Sequence, residues 1–419
     1  MSNPQARIHV LNKSNYSHHR LVALPEEPNP SPLPPSSLRL RPRILGLTTN
    51  NLTYARLGHV MGWYDIYPLP PNTPAPYNDE NTYGRIAAWG YADILESTVP
   101  SITPGHTVYG FLPISTGTET VTVEYASHNG KDIETQIIVL DAHRQHLWKI
   151  YNRLQICLPL PDLQQRPEGL DSLGWDALMQ GLFATGYNLS TYGFAWDAEK
   201  RIHPSGHGDW TAKDADLKEA SVVLLNASGK TARAFAYALR QNRPVAHQPR
   251  SIIGVGSDKS VDMIAQSGLY DRVVSNTEVE ETKKYIENEG AQRVILLEFG
   301  SRPGVAETWI QTLSKSDSLS FTLITVGGEV KIQDPEQEKK MWENMAALNI
   351  VNASLLREKG IEVAGEEYFR AFYEAWEGFK RSISGMRVEW GEGLEKWEEG
   401  WEAFCRDEVR ADRGLVYKI

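Results

Sequence analysis

Cysteine is almost missing from this sequence: Cys157 and Cys405 are the only two in 419 residues. That count excludes a disulfide framework, and it also excludes a structural zinc lobe, which needs about four thiolates. No bound metal is expected. Long hydrophobic runs are missing too, with nothing near the roughly 20 apolar residues of a bilayer-crossing helix. The opening MSNPQARIHVLNKSNYSHH holds no apolar core of the signal-peptide kind, so a cytoplasmic protein with no membrane partner is expected. A basic excess is likewise absent. With 53 acidic against 43 basic side chains the formal net charge is -10, which repels nucleic acid at long range and removes it as a partner. What is present is ordinary globular material, 41% hydrophobic, in a chain long enough to bury the cores of two domains.

The chain changes character along its length. Strand-like alternation at Arg7-Ile8-His9-Val10 gives way to the Pro-rich LPEEPNPSPLPPSSLRLRPR, an extended connection leading into a strand at Arg43 to Leu47. The runs GRIAAWGYADILES, HTVYGFLP and TETVTVEYA, parted by Gly and Pro, predict a small, mostly antiparallel β domain over 1–170. Helical spacing follows in DSLGWDALMQGLFATGYNLSTYGF. After a polar insertion, strands at Ser221 to Leu225, SIIGVGS, DRVVS, VILLEFG and FTLITVGG alternate with helices. Near-continuous apolar strands between helices predict an α/β fold over 171–345, its parallel sheet doubly wound and covered on both faces. From about Glu338, and as a segment over 346–419, aromatic helices are expected to return to the first domain. Phe369, Phe372, Trp376 and Phe379 share one face, and Trp390, Trp397, Trp401 and Phe404 mark a second stripe, both read as core or dimer contact.

The strongest local signal for chemistry is Val222-Val223-Leu224-Leu225-Asn226-Ala227-Ser228-Gly229-Lys230-Thr231-Ala232. Small residues after a strand let the backbone approach a phosphate, and the following helix offers it free N–H groups. The full G-x-G-x-x-G fingerprint is absent. A P-loop reading of SGKT fails, because Leu224 stands where that motif needs its first glycine. The next strand ends Gly254-Val255-Gly256-Ser257-Asp258-Lys259, at the position that meets the adenosine ribose in a dinucleotide fold. Ser257 and Lys259 point to NADP, while Asp258 keeps NAD open. His203 and His207 have ligand-like spacing, but Pro204 and Gly206 prevent a shared helix face, so a solvated loop is expected there. His143 and His146 are assigned to the surface. Cys157, within LQICLPLP, reads as a buried, inert thiol.

WGYADILESTVPSITPGHTVYGFLP, FATGYNL, SIIGVGSDKSVDMIAQSG, LTTNNLTYARLG and the ASGKTA turn together resemble the zinc-free quinone and enoyl reductases of the medium-chain dehydrogenase/reductase superfamily, in a branch carried as a domain of unknown function. The likeness spans most of Arg43 to Gly328. It implies a Rossmann-like nucleotide-binding domain beside a β-rich, GroES-like catalytic domain completed by the C-terminal helices. It also implies hydride transfer from NADP(H) to an activated C=C or quinone-like conjugated carbonyl of a small molecule. Ser228, Gly229, Lys230, Thr231, Ser257, Lys259 and Gly327 would then contact the cofactor, and Asn51, Tyr54 and Tyr64 would serve the substrate. A tyrosine hydroxyl, protonated at neutral pH, suits proton donation to an enolate. Two departures from the family are the altered glycine pattern and His106 where an Asp is common. The atypical turn and the aromatic tail leave a second reading open: a non-redox isomerase, lyase or cyclase of specialised biosynthesis on the same fold. A binding or scaffold protein without catalysis is a third. A homodimer is compatible with either enzyme reading.

Overall fold

The computed structural model describes residues 5–26, 31–327 and 349–419. Part of the Pro-rich connection, the expected boundary at 345/346 and the beginning of the expected C-terminal helical segment lie outside the described residues. The chain divides into two compact units, 1–178 with 386–419, and 179–385. The first division falls inside helix Gly169–Asn188, against an expected 170/171.

The first unit is built on an eight-stranded sheet. Its order is Arg387–Glu392, Arg413–Lys418, Ser37–Leu47, Ala87–Ser97, Thr107–Pro113, Arg153–Cys157, Lys131–Val139 and Glu119–His128. Ser37–Leu47 also pairs with Glu119–His128, so the strands from Ser37 onward close on themselves as a barrel, which satisfies edges that would otherwise face solvent. The strand expected at Arg43 to Leu47 is longer than its sequence suggested, starting at Ser37 and running through Pro42. The ladder to Ala87–Ser97 shifts register between Pro42 and Ile44, where a residue without an N–H cannot continue it. These two strands lie very close: a Cβ on Gly90 would stand 1.9 Å from the Ile44 carbonyl oxygen. A small sheet of Arg7–Asn12, His19–Ala23 and Tyr83–Gly84 completes the unit with helix Gly393–Cys405. That helix buries Trp397 and Trp401 beside His9, the indole of Trp401 donating to the Tyr16 carbonyl at 2.9 Å.

The second unit is the expected parallel sheet. In space its strands run Arg272–Ser275, Ser251–Gly256, Ala220–Leu225, Arg293–Phe299 and Ser320–Gly327, an order of 3-2-1-4-5 by sequence, with every pairing parallel. Ala220–Leu225 and Ser251–Gly256 are buried at every position, which accounts for their unbroken apolar runs. Val223, Ile253, Val255, Leu296 and Trp309 form the core of one face. Helix Glu366–Ser382 belongs to this unit, so the aromatic tail divides between the two: Phe372, Trp376 and Phe379 pack on Phe183 here, and Trp397 and Trp401 in the other.

Candidate active site

In an open α/β sheet the ligand crevice lies beyond the carboxyl ends of the strands where their order reverses. Here that point falls between Ala220–Leu225 and Arg293–Phe299. Asn226, the first residue past the strand, has φ 56, a left-handed conformation that asparagine tolerates better than most residues. Its amide donates to the carbonyls of Phe299 at 3.2 Å and Gly300 at 3.0 Å, tying together the two strand ends at the reversal. The turn then closes through Gly229 N–H to the Asn226 carbonyl at 2.9 Å and enters helix Lys230–Gln241. Gly229 caps that helix without a side-chain bond, and its first turn holds no acidic residue. The leading N–H groups are thus left for a ligand.

Two cations occupy the same turn. The half-buried Lys230 amine has no hydrogen-bond or ion-pair partner among the described residues. Loss of solvent, with the Arg233 charge beside it, pushes it down to about 8. Arg233 is only 4% exposed. Its Nη2 donates to the Ser384 carbonyl at 2.6 Å, while Nη1 is buried without an acceptor. Tyr270 stands beneath the second strand, where the missing side chain of Gly254 leaves room for its ring. Its hydroxyl donates to the Ala227 carbonyl at 2.9 Å, and the Arg233 charge partly offsets the upward push that burial gives its pKa. An orphaned guanidinium nitrogen, an amine unpaired among the described residues and the leading helix N–H groups are a donor set that fits the phosphates of a dinucleotide.

The other expected cofactor residues gather around this end of the sheet. Ser228 lies in the turn, its hydroxyl 3.5 Å from Asn226 Oδ1, and Thr231 is half-buried in the helix's first turn. Ser257 hydrogen-bonds through its hydroxyl with Ser260 at 3.1 Å. Asp258 accepts a bond from the Ser275 hydroxyl, and Lys259 is exposed beside it. Gly327 ends the edge strand, paired with Phe299. The sequence reading missed Asn226, Arg233, Tyr270 and Glu298. Glu298 is a buried carboxylate near the end of its strand; burial raises its pKa, and the Ser301 N–H and hydroxyl bind it. Arg233 could have been found: with Lys230 three residues earlier it makes a cationic first turn, against the usual preference for acids there.

Asn51, Tyr54 and Tyr64 belong to the first unit. Asn51 Oδ1 accepts from the Thr48 N–H at 2.8 Å in a capping box for helix Thr49–Met61, and its amide donates to the Ala87 carbonyl at 3.2 Å. Tyr64 donates its proton to the Ala55 carbonyl at 2.7 Å, and burial raises its pKa. Tyr54 lies in a cage of Trp63, Phe111 and Tyr151, with ring centroids 4.8, 4.7 and 6.0 Å away. Its oxygen accepts from Asn50 at 2.8 Å and Trp89 at 3.1 Å, and burial pushes its pKa up to about 12.

Several histidine and cysteine expectations also meet the structure. His203 is buried, not solvated: its Nδ1 accepts from the Ser205 N–H at 3.0 Å and its ring packs edge-on to Trp210. His207, next to the turn, is exposed. His146 lies on the surface paired with Asp65 at 3.1 Å. Burial, with Asp176 nearby, pushes the Cys157 thiol up to about 12, so it carries little thiolate at neutral pH. Among the described residues no His, Cys, Asp and Glu side chains gather as metal ligands, and no helix is long and apolar enough to cross a membrane.

Residues 45–410 match the family described as "Protein of unknown function (DUF2855)". No curated protein matches the sequence. Solved structures do match in shape. The chain is similar to a mutant form of enoyl thioester reductase from Candida tropicalis, with 12% identity, all of both chains covered and a TM-score of 0.52. It is similar to the Etr1p/NADP/crotonyl-CoA complex, with 12% identity, full coverage of both chains and a TM-score of 0.53. A third is mycobacterial Rv1454c complexed with NADPH, with 14% identity, 99% of this chain and 100% of that one covered, and a TM-score of 0.52. The fold is that of the medium-chain dehydrogenases/reductases, a Rossmann sheet in one unit and a GroES-like barrel in the other.

Proposed function

This chain belongs to the DUF2855 family, and we propose that it is an NADP(H)-dependent oxidoreductase acting on an activated C=C or quinone-like conjugated carbonyl of a small molecule. The observation that carries the reading is the anion-ready turn at the reversal point of the parallel sheet, with Lys230 and Arg233 in its first helical turn and no carboxylate against either among the described residues. Two of the similar structures support it, one a complex with NADPH and the other a complex with NADP and crotonyl-CoA.

When bound, the nicotinamide would supply hydride to the electron-poor carbon of the double bond. The chain's own residues do the rest. Ser228, Gly229, Lys230 and Thr231 hold phosphates through side-chain and backbone donors. Ser257 and Lys259 flank the ribose end, and Gly327 leaves the edge-strand terminus uncrowded. Tyr54 is the residue assigned to the substrate carbonyl or enolate. With its pKa near 12 it keeps its proton at neutral pH, and the bonds from Asn50 and Trp89 would steady its oxygen as that proton leaves. Tyr64 and Asn51 hold the Tyr54 helix in place through the Ala55 carbonyl and the Thr48 cap.

A specific observation favours the second reading, a non-redox isomerase, lyase or cyclase. The Asn226 amide stitches across the strand ends where a dinucleotide fold leaves a crevice. Titration of the purified protein with NADPH and NADH, followed by tryptophan quenching and energy transfer to the nicotinamide, separates the two. Micromolar NADPH binding followed by turnover of an enone or quinone is the expected result. Failure to bind either nucleotide would sink the hydride-transfer reading and leave the non-redox enzyme and the non-catalytic binding protein.

A further inference from the structure

A cation at the N-terminus of a helix sits at the positive end of the macrodipole, where an acid is the usual occupant. Helix Lys230–Gln241 places two there, at positions 230 and 233. Neither has a carboxylate partner among the described residues, and Arg233, 4% exposed, keeps Nη1 without an acceptor. Burying an unmatched charge is costly, and an unsatisfied guanidinium nitrogen adds to that cost. A dianion would remove both costs. The usual pyrophosphate cradle of this fold works with glycines and backbone N–H groups alone, so two further cations exceed what it needs.

Their direction narrows the choice. Arg233 is close enough to Tyr270 for its charge to act on the phenol, and the Tyr270 ring lies against Gly254 on the second strand. The carboxyl end of that strand is where a dinucleotide's adenosine ribose sits. The acid that would select a free ribose 2′-hydroxyl, Asp258, is engaged by the Ser275 hydroxyl. We propose that Lys230 and Arg233 seat the 2′-phosphate of NADP(H), so that the preference for NADP over NAD is decided in the first turn of this helix. The inference rests on the nucleotide reading given above. It adds Arg233 as a residue that determines cofactor choice, and it assigns Lys230 to the 2′-phosphate in place of the shared pyrophosphate.

The test is calorimetric titration of the full chain with 2′,5′-ADP and with 5′-AMP, probes that differ only in the 2′-phosphate, alongside NADPH and NADH. The unaltered protein should bind 2′,5′-ADP at least about tenfold more tightly than 5′-AMP, in line with charge-assisted bonds to a phosphate. Lys230→Gln and Arg233→Gln should each erase most of that ratio by weakening 2′,5′-ADP while 5′-AMP stays within about twofold. If Arg233→Gln fails to fold, Lys230→Gln carries the test, because among the described residues that side chain makes no hydrogen bond that folding would lose. A ratio that survives Lys230→Gln but disappears in Lys259→Ala overturns the inference and puts the seat on the second strand's loop. Equal binding of NADPH and NADH by the unaltered protein also overturns it, while the nucleotide reading stands. Binding of no nucleotide at all would bring down that reading and the inference with it.

Discussion

Around Tyr54 in the barrel unit, a buried hydroxyl is met by two donors, Asn50 and Trp89, inside a cage of aromatic rings. At the turn after Leu225 in the sheet unit, a buried guanidinium nitrogen and a half-buried amine meet no acceptor among the described residues. Both places bury polar atoms: in the first the Tyr54 oxygen is matched while the Trp63 indole N–H beside it is not, and in the second the unmatched groups are cationic. An unmatched buried charge opposes folding far more than an unmatched neutral N–H does, so the second place is the one that a bound anion would complete.

The contrast can be pushed from both sides. The largest effect belongs to the ligand: NADPH at about a hundredfold excess over its dissociation constant should stabilise the protein by about 2.7 kcal/mol, read as a thermal shift that a tenfold loss of affinity in Lys230→Gln would cut to roughly half. No shift with NADPH would put the unmatched cations to some other use. Next, Tyr54→Phe strands the donors of Asn50 and Trp89, so it should cost about 2 kcal/mol in urea unfolding besides slowing any proton-dependent turnover. A loss of turnover with unchanged stability would mean that Asn50 and Trp89 find other acceptors when the hydroxyl is gone.

A pH series extends the comparison to another filled site. His9 is 1% exposed, accepts from the Trp397 indole at 3.4 Å and bonds His19 at 3.1 Å. Burial, with the His19 charge adding to it, lowers its pKa well below 6.5. The unfolded chain therefore takes up a proton that folded His9 refuses. Its stabilising contribution is intact above about 6.5 and falls away as pH drops below that value, at up to about 1.4 kcal/mol per pH unit for one proton. Urea midpoints at neutral and mildly acid pH would show the slope, and His9→Asn should flatten it. The smallest effect is also the sharpest discriminator. Lys230→Met should leave the ligand-free protein unchanged or up to about 1 kcal/mol more stable, because it removes an unmatched charge. Destabilisation there would mean that the amine is already satisfied.

Much of this was legible in the chain itself. Alternation marked the barrel strands, and unbroken apolar runs marked Ala220–Leu225 and Ser251–Gly256, because a strand covered on both faces cannot afford polar residues. The turn at Ser228 to Thr231 stood out by small residues before a helix. Less visible was the length of the strand through Pro42, since its pairing partners are distant in sequence. His203 misled because Pro and Gly neighbours suggest exposure, while its burial comes from Trp210 folding over it.

Sequence by itself determined the alternation of strands and helices, the aromatic stripes and the small-residue turn before helix Lys230–Gln241, because periodicity and backbone sterics are local properties of the chain. Only the tertiary structure decided that the aromatic tail would divide between two units, that Asn226 would tie two strand ends together and that Arg233 would be left with a nitrogen unmatched. The reason is that burial and hydrogen-bond satisfaction depend on which distant residues arrive alongside, and no local pattern carries that information.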